Sequence, residues 1–513
     1  MKKTDSTVNY LYWFPILIGL LFRLINVQAP IVGIHSWRQA DTAAMARHFA
    51  LEGTPIWLPQ IDWAGASAGY VDCEFPLYPY LVGQLYKLFG LHEWIGRGLS
   101  IFFSILTIFL VIRIGTRIFD PQSGWWGGLF FAILPLNIYY GRTFQAESLL
   151  ILLAAISIDR LLDWKSESKF LSLLLSWLAF CLACLIKLLP IFWLGLPLLA
   201  LHLYGLDKNH KRPKIEVYRR FYLLLSSPYV WCFGLSAIVI CLIWFRYSYG
   251  LGSTSGFSFF LWGKDTDRFS LTMLFDIQVW SNLLLRITLR NLSIFGLPLV
   301  VFGFMSCRQE AKGQTLQAGI VGMFICTVFA MRSSSVHEYY QLPLQLFLCP
   351  LMGRGWICFE SLLSYRRLSK VFLQLVLALI TAISLVVLSF DYYLVERSQA
   401  AIWMPLANNI REEVQPQSRI VSVTGLDPTL LNLARRQGWL TSAKKVNKDN
   451  LNYWYNQGAE YIVGSLKWQE TYIKLEESEG NHLIEKFNCN KELSGCPNPP
   501  NYTYFIPLKK LIN

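Results

Sequence analysis

The segment Leu171–Tyr204, LSLLLSWLAFCLACLIKLLPIFWLGLPLLALHLY, contains a single Asp, Glu, Lys or Arg side chain, Lys187. An apolar run of about 20 residues is long enough to cross a lipid bilayer as a helix. The segment is therefore predicted to form two adjacent spanning helices that are separated at Lys187. Pro190 follows three residues after this break.

Runs of the same character recur along the whole chain. Hydrophobic residues make up 54% of the 513 residues and charged residues only 15%, a composition typical of a chain solvated mostly by lipid. The sequence therefore predicts an all-α polytopic membrane protein of about eleven spans. The predicted spans are Tyr12–Gln28, Ile101–Ile118, Trp126–Tyr140, Leu149–Leu162, Leu171–Ile186, Leu188–Tyr204, Tyr229–Phe245, Asn291–Cys307, Leu316–Met331, Leu342–Cys358 and Val371–Phe390.

The net charge of +13 follows the predicted topology. With a cytoplasmic N-terminus, the basic clusters fall on one side, as the positive-inside rule expects. They are interpreted as topology signals and not as a nucleic-acid surface. The protein is expected in the plasma (inner) membrane, with the first span retained as an anchor and the C-terminus outside. The clusters are Lys2/Lys3, Arg113/Arg117, Lys165/Lys169, Lys208–Arg220, Arg308/Lys312 and Arg366/Arg367/Lys370.

Composition changes near residue 394. From Val395 onward 26 of 119 residues are charged, against 53 of the preceding 394. Residues 1–393 are predicted to form the transmembrane domain, including a first outer loop at 29–93, and residues 394–513 a small extracytoplasmic α/β domain. Its strands are expected at 419–424 and 460–464, and its helices at 428–437 and 449–457.

The predicted C-terminal domain has no phosphate-binding glycine pattern and is interpreted as a structural cap or an acceptor-docking module. Its Cys489 and Cys496 would face an oxidising compartment, where they either form a disulfide or stay reduced.

The first outer loop is far longer than an ordinary helix–helix connection. Trp37–Leu51 and Pro76–Phe89 are predicted to be amphipathic helices lying in the membrane interface. A site at the level of the lipid headgroups is therefore expected just outside the first span.

The motif His35-Ser-Trp-Arg-Gln-Ala-Asp41 concentrates acidic, basic and aromatic groups at that boundary. Attack of an acceptor hydroxyl or amine on an anomeric carbon needs a base near the nucleophile and cations near the departing phosphate. Asp41 is the candidate base and Arg38 a candidate cation. The alternative is that Asp41 only caps a helix beginning at Thr42.

A second carboxylate, Glu147, lies at the outer mouth between the third and fourth spans, close in sequence to Arg142. Ionisable residues at the edge of an apolar span are costly, so they are candidates for function. The alternative is an Arg142–Glu147 ion pair solvated at the interface.

Two further regions offer ligands for a phosphate or a sugar. His337 and Tyr340 belong to a polar aromatic cluster before the tenth span. Lys187 and Arg97 are placed to bind phosphate or, alternatively, to reach the interface with their charged ends. Arg23 is given no functional role.

All these groups are predicted on the outer side, which favours a site for a lipid-linked anionic substrate. No P-loop is present, so ATP-driven export is not expected. A transporter or flippase for lipid-linked glycans, and an assembly factor, remain alternatives from other classes.

Five segments of the sequence, taken together, resemble membrane glycosyltransferases of the protein O-mannosyltransferase and lipid A aminoarabinose transferase type, which have the GT-C fold. No single segment is specific enough to show this resemblance. The resemblance covers residues 10–204 and 332–356. The segments are HSWRQAD (His35–Asp41), EFPLYPYLVGQLYKLFG (Glu74–Gly90), WIGRGLS (Trp94–Ser100), YYGRTFQAE (Tyr139–Glu147) and HEYYQLPL (His337–Leu344).

The resemblance implies inverting transfer of a hexose or pentose from a polyprenyl-phosphate donor to a lipid, glycan or protein acceptor. Asp41 would be the base, and Glu147 would orient the acceptor. The remaining candidates would bind the donor and its phosphate, or support the first loop: Arg97, Lys187, Arg142, His337 and Tyr340, then His35, Arg38 and Glu74.

The first loop departs from the family pattern at one position. The family often has an Asp-Glu pair in the first loop, whereas Thr42 follows Asp41 here.

No cofactor is expected to be required, and no nucleic acid is expected as a partner. A divalent metal stays an open alternative because Asp72, Glu74 and His92 share the first loop.

Overall fold

The computed structural model describes residues 5–203, 222, 226–255, 270–307, 311–363, 369–465 and 503–512. The chain forms two compact units. Unit 1 contains residues 1–27, 97–247 and 264–390, and unit 2 contains 28–96, 248–263 and 391–513. Cys489 and Cys496, for which a disulfide and two reduced thiols were both left open, and the basic run Lys208–Arg220 lie outside the described residues.

Helices dominate the first half of the chain. They are α1 (Asp5–Leu24), α2 (Ser36–Leu51), α3 (Leu77–Phe89), α4 (Glu93–Ile118), α5 (Pro121–Ile133), α6 (Pro135–Tyr140), α7 (Glu147–Glu167), α8 (Phe170–Ile186), α9 (Pro190–Trp193), α10 (Gly195–Leu203) and α11 (Pro228–Ser255).

The second half begins with further helices, two of which have neighbouring π-helical turns. They are α12 (Leu271–Leu274), α13 (Ile277–Arg286) with the π segment Ile287–Asn291, α14 (Gly296–Ser306), α15 (Gln314–Phe329), α16 (Met331–Val336), the 3₁₀ segment Glu338–Leu344, α17 (Gln345–Leu363), α18 (Ser369–Val387) with the π segment Leu388–Tyr393, and α19 (Leu394–Glu413).

The polar C-terminal part contains the strands β1 (Arg419–Val423), β2 (Gly438–Leu440), β3 (Ala459–Ser465) and β4 (Thr503–Pro507), which form a mixed sheet in the order β2-β1-β3-β4. Strand β1 is parallel to β2 and β3, and β4 is antiparallel to β3. The helical elements of this part are α20 (Thr429–Ala434), the 3₁₀ turn Ala443–Lys445, α21 (Lys448–Asn456) and α22 (Lys509–Ile512).

Within the described residues every predicted span overlaps a helix or a pair of helices, but the predicted number of spans is not confirmed. Among the described residues, four helices are long and apolar enough to cross a membrane, and five if one bent pair counts as a single span. That pair, Ile277–Asn291 and Gly296–Ser306, bends by 93°. At the bend Ser293 and Ile294 have positive φ angles of 45° and 61°, which are costly for residues other than glycine.

Unit 2 joins the first loop to the C-terminal part through a shared core. Val32 packs in the same apolar cluster as Trp403, Leu430 and Val463. Helix α2 is buried at 11 of its 16 positions. The expectation that α2 lies half exposed in the membrane interface is therefore wrong, because protein covers most of its circumference. The domain division at residue 393 stays a prediction.

Arg23 explains how unit 1 accommodates the break between α5 and α6. Pro135 has no N–H, so the carbonyl of Phe131 cannot receive its usual helical hydrogen bond. The fully buried guanidinium of Arg23 donates to that carbonyl at 3.3 Å, to Ala132 O at 3.1 Å and to Asn137 O at 3.1 Å. Arg23 is thus a structural residue that pairs with backbone inside the protein.

Replacing Arg23 with Met should destabilise unit 1, because several buried carbonyls would lose their donor. The expected loss in the free energy of unfolding is about 2–4 kcal/mol. Thermal unfolding of the purified protein in detergent measures it. Arg397, which is exposed, provides the matched control: R397M should change little. Equal losses in the two variants would contradict the role of Arg23.

Candidate functional site

A buried ion pair lies where a helical hairpin of unit 1 opens. Glu147 is the first residue of α7, and Lys187 directly follows the last residue of α8. The next helix begins at Pro190, so Lys187 lies at a break in the helical path. Its Nζ donates to Glu147 Oε1 at 2.6 Å, and the two side chains are 10% and 3% exposed. Each charge therefore depends on the other for compensation.

Aromatic rings surround the ammonium group of Lys187. Its Nζ lies 4.7 Å from the ring centroid of Tyr339 and 5.1 Å from that of Tyr340. The His337 ring stacks on Tyr339, with 5.3 Å between centroids and an interplanar angle of 11°. The electron-rich faces of tyrosine rings favour a nearby cation. The predicted candidates Lys187, His337 and Tyr340 thus lie together with Glu147.

Glu338 anchors the segment that carries these rings. The Tyr140 hydroxyl donates to Glu338 Oε1 at 2.9 Å, and Arg290 forms an ion pair with the same carboxylate. Arg290 lies in the π segment before the 93° bend, and π-helical turns often occur at functional sites. Sequence reasoning missed Arg290 because it lies outside the predicted apolar runs.

A small cavity lies beside the ion pair. Glu147, Lys187, Trp193, Ser334, Tyr339 and Tyr340 are among its lining residues, and its free volume is about 20 Å³. That volume accommodates about one water molecule. A sugar or a phosphate would therefore require side chains to move.

Arg97 and Arg142 are both fully buried in the same unit, outside the lining of this cavity as the described residues define it. The Arg142 guanidinium carbon lies 5.2 Å from the Tyr139 ring centroid, and Nη1 donates to Asn26 O at 3.5 Å. The alternative of a solvated Arg142–Glu147 pair is wrong, since Glu147 is buried against Lys187.

Asp41 lies inside α2, which begins at Ser36, so it does not cap a helix starting at Thr42. Its side chain is nearly fully buried, and the indole Nε1 of Trp63 donates to its Oδ1 at 3.0 Å. Burial raises the pKa of Asp41 to about 7, although the Trp63 hydrogen bond and the Arg38 charge act to lower it. A carboxyl group with this pKa can exchange a proton near neutral pH.

The other first-loop candidates lie around the same helix of unit 2. Arg38 forms an ion pair with Glu74. His35 precedes the first residue of α2, is buried, and has a positive φ of 54°. Arg38 and Glu74 are thus partners, and Arg38 also contributes to the electrostatic environment of Asp41.

Unit 2 contains a second cluster of charged side chains, which the sequence pattern did not predict. Asp62, which is buried, forms an ion pair with Arg47, and its Oδ1 lies 3.1 Å from His48 Nε2. His48 Nδ1 lies 2.6 Å from Glu52 Oε1. His48 and Glu52 are four residues apart, which puts both on one helical face, and this spacing is the signal that could have found the group.

In the part of the chain that the structure describes, no cluster of three or more His, Cys, Asp or Glu side chains could hold a metal ion. Asp72, Glu74 and His92 are thus not assembled into such a cluster.

The fold resembles that of solved membrane glycosyltransferases. ArnT from Cupriavidus metallidurans, solved in the apo state and bound to undecaprenyl phosphate, matches with a TM-score of 0.63 at 15% identity. The match covers 99% of this chain and 100% of ArnT. The oligosaccharyltransferase AglB from Archaeoglobus fulgidus, in complex with an inhibitory peptide and a dolichol-phosphate, matches with a TM-score of 0.54 at 11% identity. That match covers 90% of this chain and 70% of AglB.

The family comparison agrees with the fold. Residues 74–244 match the sequence model of the family described as dolichyl-phosphate-mannose-protein mannosyltransferase. No curated protein sequence matches the chain significantly. The predicted resemblance to GT-C membrane glycosyltransferases is confirmed, and the matched segment contains both Glu147 and Lys187.

Replacing Lys187 with Met should be strongly destabilising, because it leaves Glu147 buried without its compensating charge. The expected cost is about 3–5 kcal/mol. The double variant K187M/E147Q should recover most of that loss. Thermal unfolding in detergent of the single and double variants measures both effects.

Lys169 and Glu167 offer a matched control, since they form an ion pair at the same 2.6 Å while 69% and 49% exposed. An exposed pair contributes about 0–1 kcal/mol. K169M should therefore cost little. A K187M variant as stable as K169M would show that Glu147 does not depend on Lys187.

Proposed function

We propose that this protein is a membrane glycosyltransferase that moves a sugar from a polyprenyl-phosphate donor to a lipid, glycan or protein acceptor. The observation that carries the proposal is the Glu147–Lys187 pair, with the rings of Tyr339 and Tyr340 beside the ammonium group. Both members of the pair lie within residues 74–244, which match the family model. The full-length likeness in fold to ArnT supports the same class.

Donor binding is assigned to the cationic and aromatic side chains of unit 1. A sugar linked to polyprenyl phosphate carries one negative charge on its phosphodiester, and a second develops as the glycosidic bond breaks. A lysine ammonium held in a poorly hydrated site stabilises that developing charge more than water would. Lys187 has this role in the proposal, with Tyr340 and His337 beside it. Arg97 and Arg142 supply further positive charge.

Lys187 already forms an ion pair with Glu147, and the Glu147 carboxylate therefore has a role in the proposal as well. An arriving phosphate competes with Glu147 for the same ammonium group. Once displaced, the Glu147 carboxylate is available to accept a hydrogen bond from the acceptor hydroxyl or amine. Glu147 is therefore proposed to orient the acceptor, and its release depends on the donor being bound.

Asp41 is proposed as the general base. A pKa of about 7 leaves a substantial fraction of the carboxyl ionised at neutral pH, while keeping it basic enough to accept a proton. Deprotonating the acceptor in a single displacement at the anomeric carbon gives inversion of configuration. Arg38, paired with Glu74, and His35 support the segment that carries this base.

The membrane arrangement completes the proposal. About eleven spans with a cytoplasmic N-terminus put the Asp41 and Glu147 segments on the outer face of the plasma membrane. The C-terminal α/β domain is then extracytoplasmic, and its shared core with the first loop supports its role as a structural cap. Sugar transfer would take place at the outer leaflet.

The variant D41N tests the assignment. With purified protein, a labelled polyprenyl-phosphate sugar and a crude membrane acceptor, we expect product formation to fall by about a hundredfold or more, the usual contribution of general-base catalysis. Donor binding should persist, because Asn has nearly the same shape. D449N, in α21, is the control and should retain activity.

Undiminished turnover by D41N would refute Asp41 as the base. Passage of labelled carrier across reconstituted vesicles without sugar release would favour the flippase alternative and contradict the transferase proposal.

A further inference from the structure

Asp62 and Trp63 are adjacent in sequence and act on Asp41 from the same loop. The Trp63 indole donates a hydrogen bond to the Asp41 carboxylate, with 3.0 Å between nitrogen and oxygen. The charge of Asp62 lies close enough to oppose ionisation of Asp41. One neighbour thus favours the charged form of the carboxyl group and the other disfavours it.

The loop is held from two sides, which fixes the position of the indole. On one side the Asp62 carboxylate contacts Arg47 and His48, both on α2. On the other side Asp62 O accepts a hydrogen bond from Gly438 N at 2.9 Å, and Gly65 N donates to Gly438 O at 2.7 Å. The Trp63 side chain therefore extends from a backbone with little freedom.

Arg47 and His48 also keep Asp62 charged. Burial acts to raise the pKa of Asp62, but the Arg47 guanidinium and the His48 ring outweigh it and hold that pKa below its usual value. Burial acts to lower the pKa of His48, yet its contacts with Asp62 and Glu52 raise it. Asp62 is thus a permanent negative charge near Asp41 under neutral conditions.

The other charged groups that influence Asp41 are Arg38, on the same helix, and Asp427, which follows β1. Asp427 Oδ1 accepts a hydrogen bond from Thr429 N at 2.9 Å, and Thr429 Oγ1 donates to Ser36 Oγ at 3.0 Å. Trp63, which is half-buried, donates the side-chain hydrogen bond that Asp41 accepts.

We propose that the Asp62–Trp63 dipeptide is a positioning element for Asp41: the contacts of Asp62 hold the loop in place, and the Trp63 indole fixes the orientation of the Asp41 carboxylate. This positioning role deepens the proposed function and rests on it, because the orientation of Asp41 matters for catalysis only if Asp41 is the base. Trp63 and Asp62 are positioning residues, since they act through Asp41.

Labelling of Asp41 by dicyclohexylcarbodiimide tests the proposal without requiring turnover, because the reagent reacts with protonated carboxyl groups in apolar surroundings. Mass spectrometry of the full-length protein over a range of pH gives the midpoint of labelling. For the wild type we expect labelling to be lost as the pH rises through about 7.

In W63F the midpoint should rise by about one pH unit, because the ionised form loses a hydrogen bond. In D62N the midpoint should fall, because the opposing charge is gone, while Asn can still accept a hydrogen bond from Arg47 through its carbonyl oxygen and donate one from its amide nitrogen to His48 Nε2. Opposite shifts are the signature of the proposal. W57F, which changes an exposed tryptophan of the same loop, should leave the midpoint in place.

The acid limb of kcat/KM should move with the labelling midpoint in each variant, while KM for the donor stays constant. An unchanged midpoint in W63F, or shifts of both variants in the same direction, would overturn the proposal. Midpoints that shift as expected in a protein whose D41N form still turns over would sustain the positioning element and refute the base assignment.

Discussion

A lysine ammonium and a glutamate carboxylate, 2.6 Å apart and both buried, connect the start of α7 with the end of α8 in unit 1. Neither charge is tolerated alone in apolar surroundings, so Lys187 and Glu147 constrain the break between α8 and α9. In the proposed function the same pair determines donor binding: the Lys187 ammonium group, kept away from water, would bind a phosphate once the Glu147 carboxylate moves aside.

Unit 2 also buries an ionisable side chain, but in different surroundings. Its helix α2 carries an acidic group, Asp41, in a nearly water-free position, and burial makes that group a better proton acceptor. The C-terminal sheet contributes by fixing the loop that contains Asp62 and Trp63. The C-terminal sheet thus restricts the backbone of the loop that carries the side chains proposed to position Asp41.

The sequence predicts what depends on local pattern. Apolar runs located the helices, and β-branched runs at 419–424 and 460–464 coincide with β1 and β3. Contacts between distant residues were beyond its reach: Glu147 and Lys187 are 40 positions apart, and nothing local reveals their pairing. The first helix of the bent pair, Ile277–Asn291, was not predicted as a span, because Arg286 and Arg290 interrupt its apolar pattern. It placed α2 in the interface because mixed composition does not show which surfaces protein covers.

The binding of polyprenyl phosphate to the purified full-length protein tests the central claim most directly. If Lys187 is the phosphate ligand, the double variant K187M/E147Q, which keeps most of the wild-type stability, should bind at least about tenfold more weakly than the wild type. E147Q, measured at a temperature at which it stays folded, should bind as tightly as the wild type or more tightly, since the phosphate no longer competes with a carboxylate for Lys187. Equal affinity of K187M/E147Q and the wild type would contradict the account.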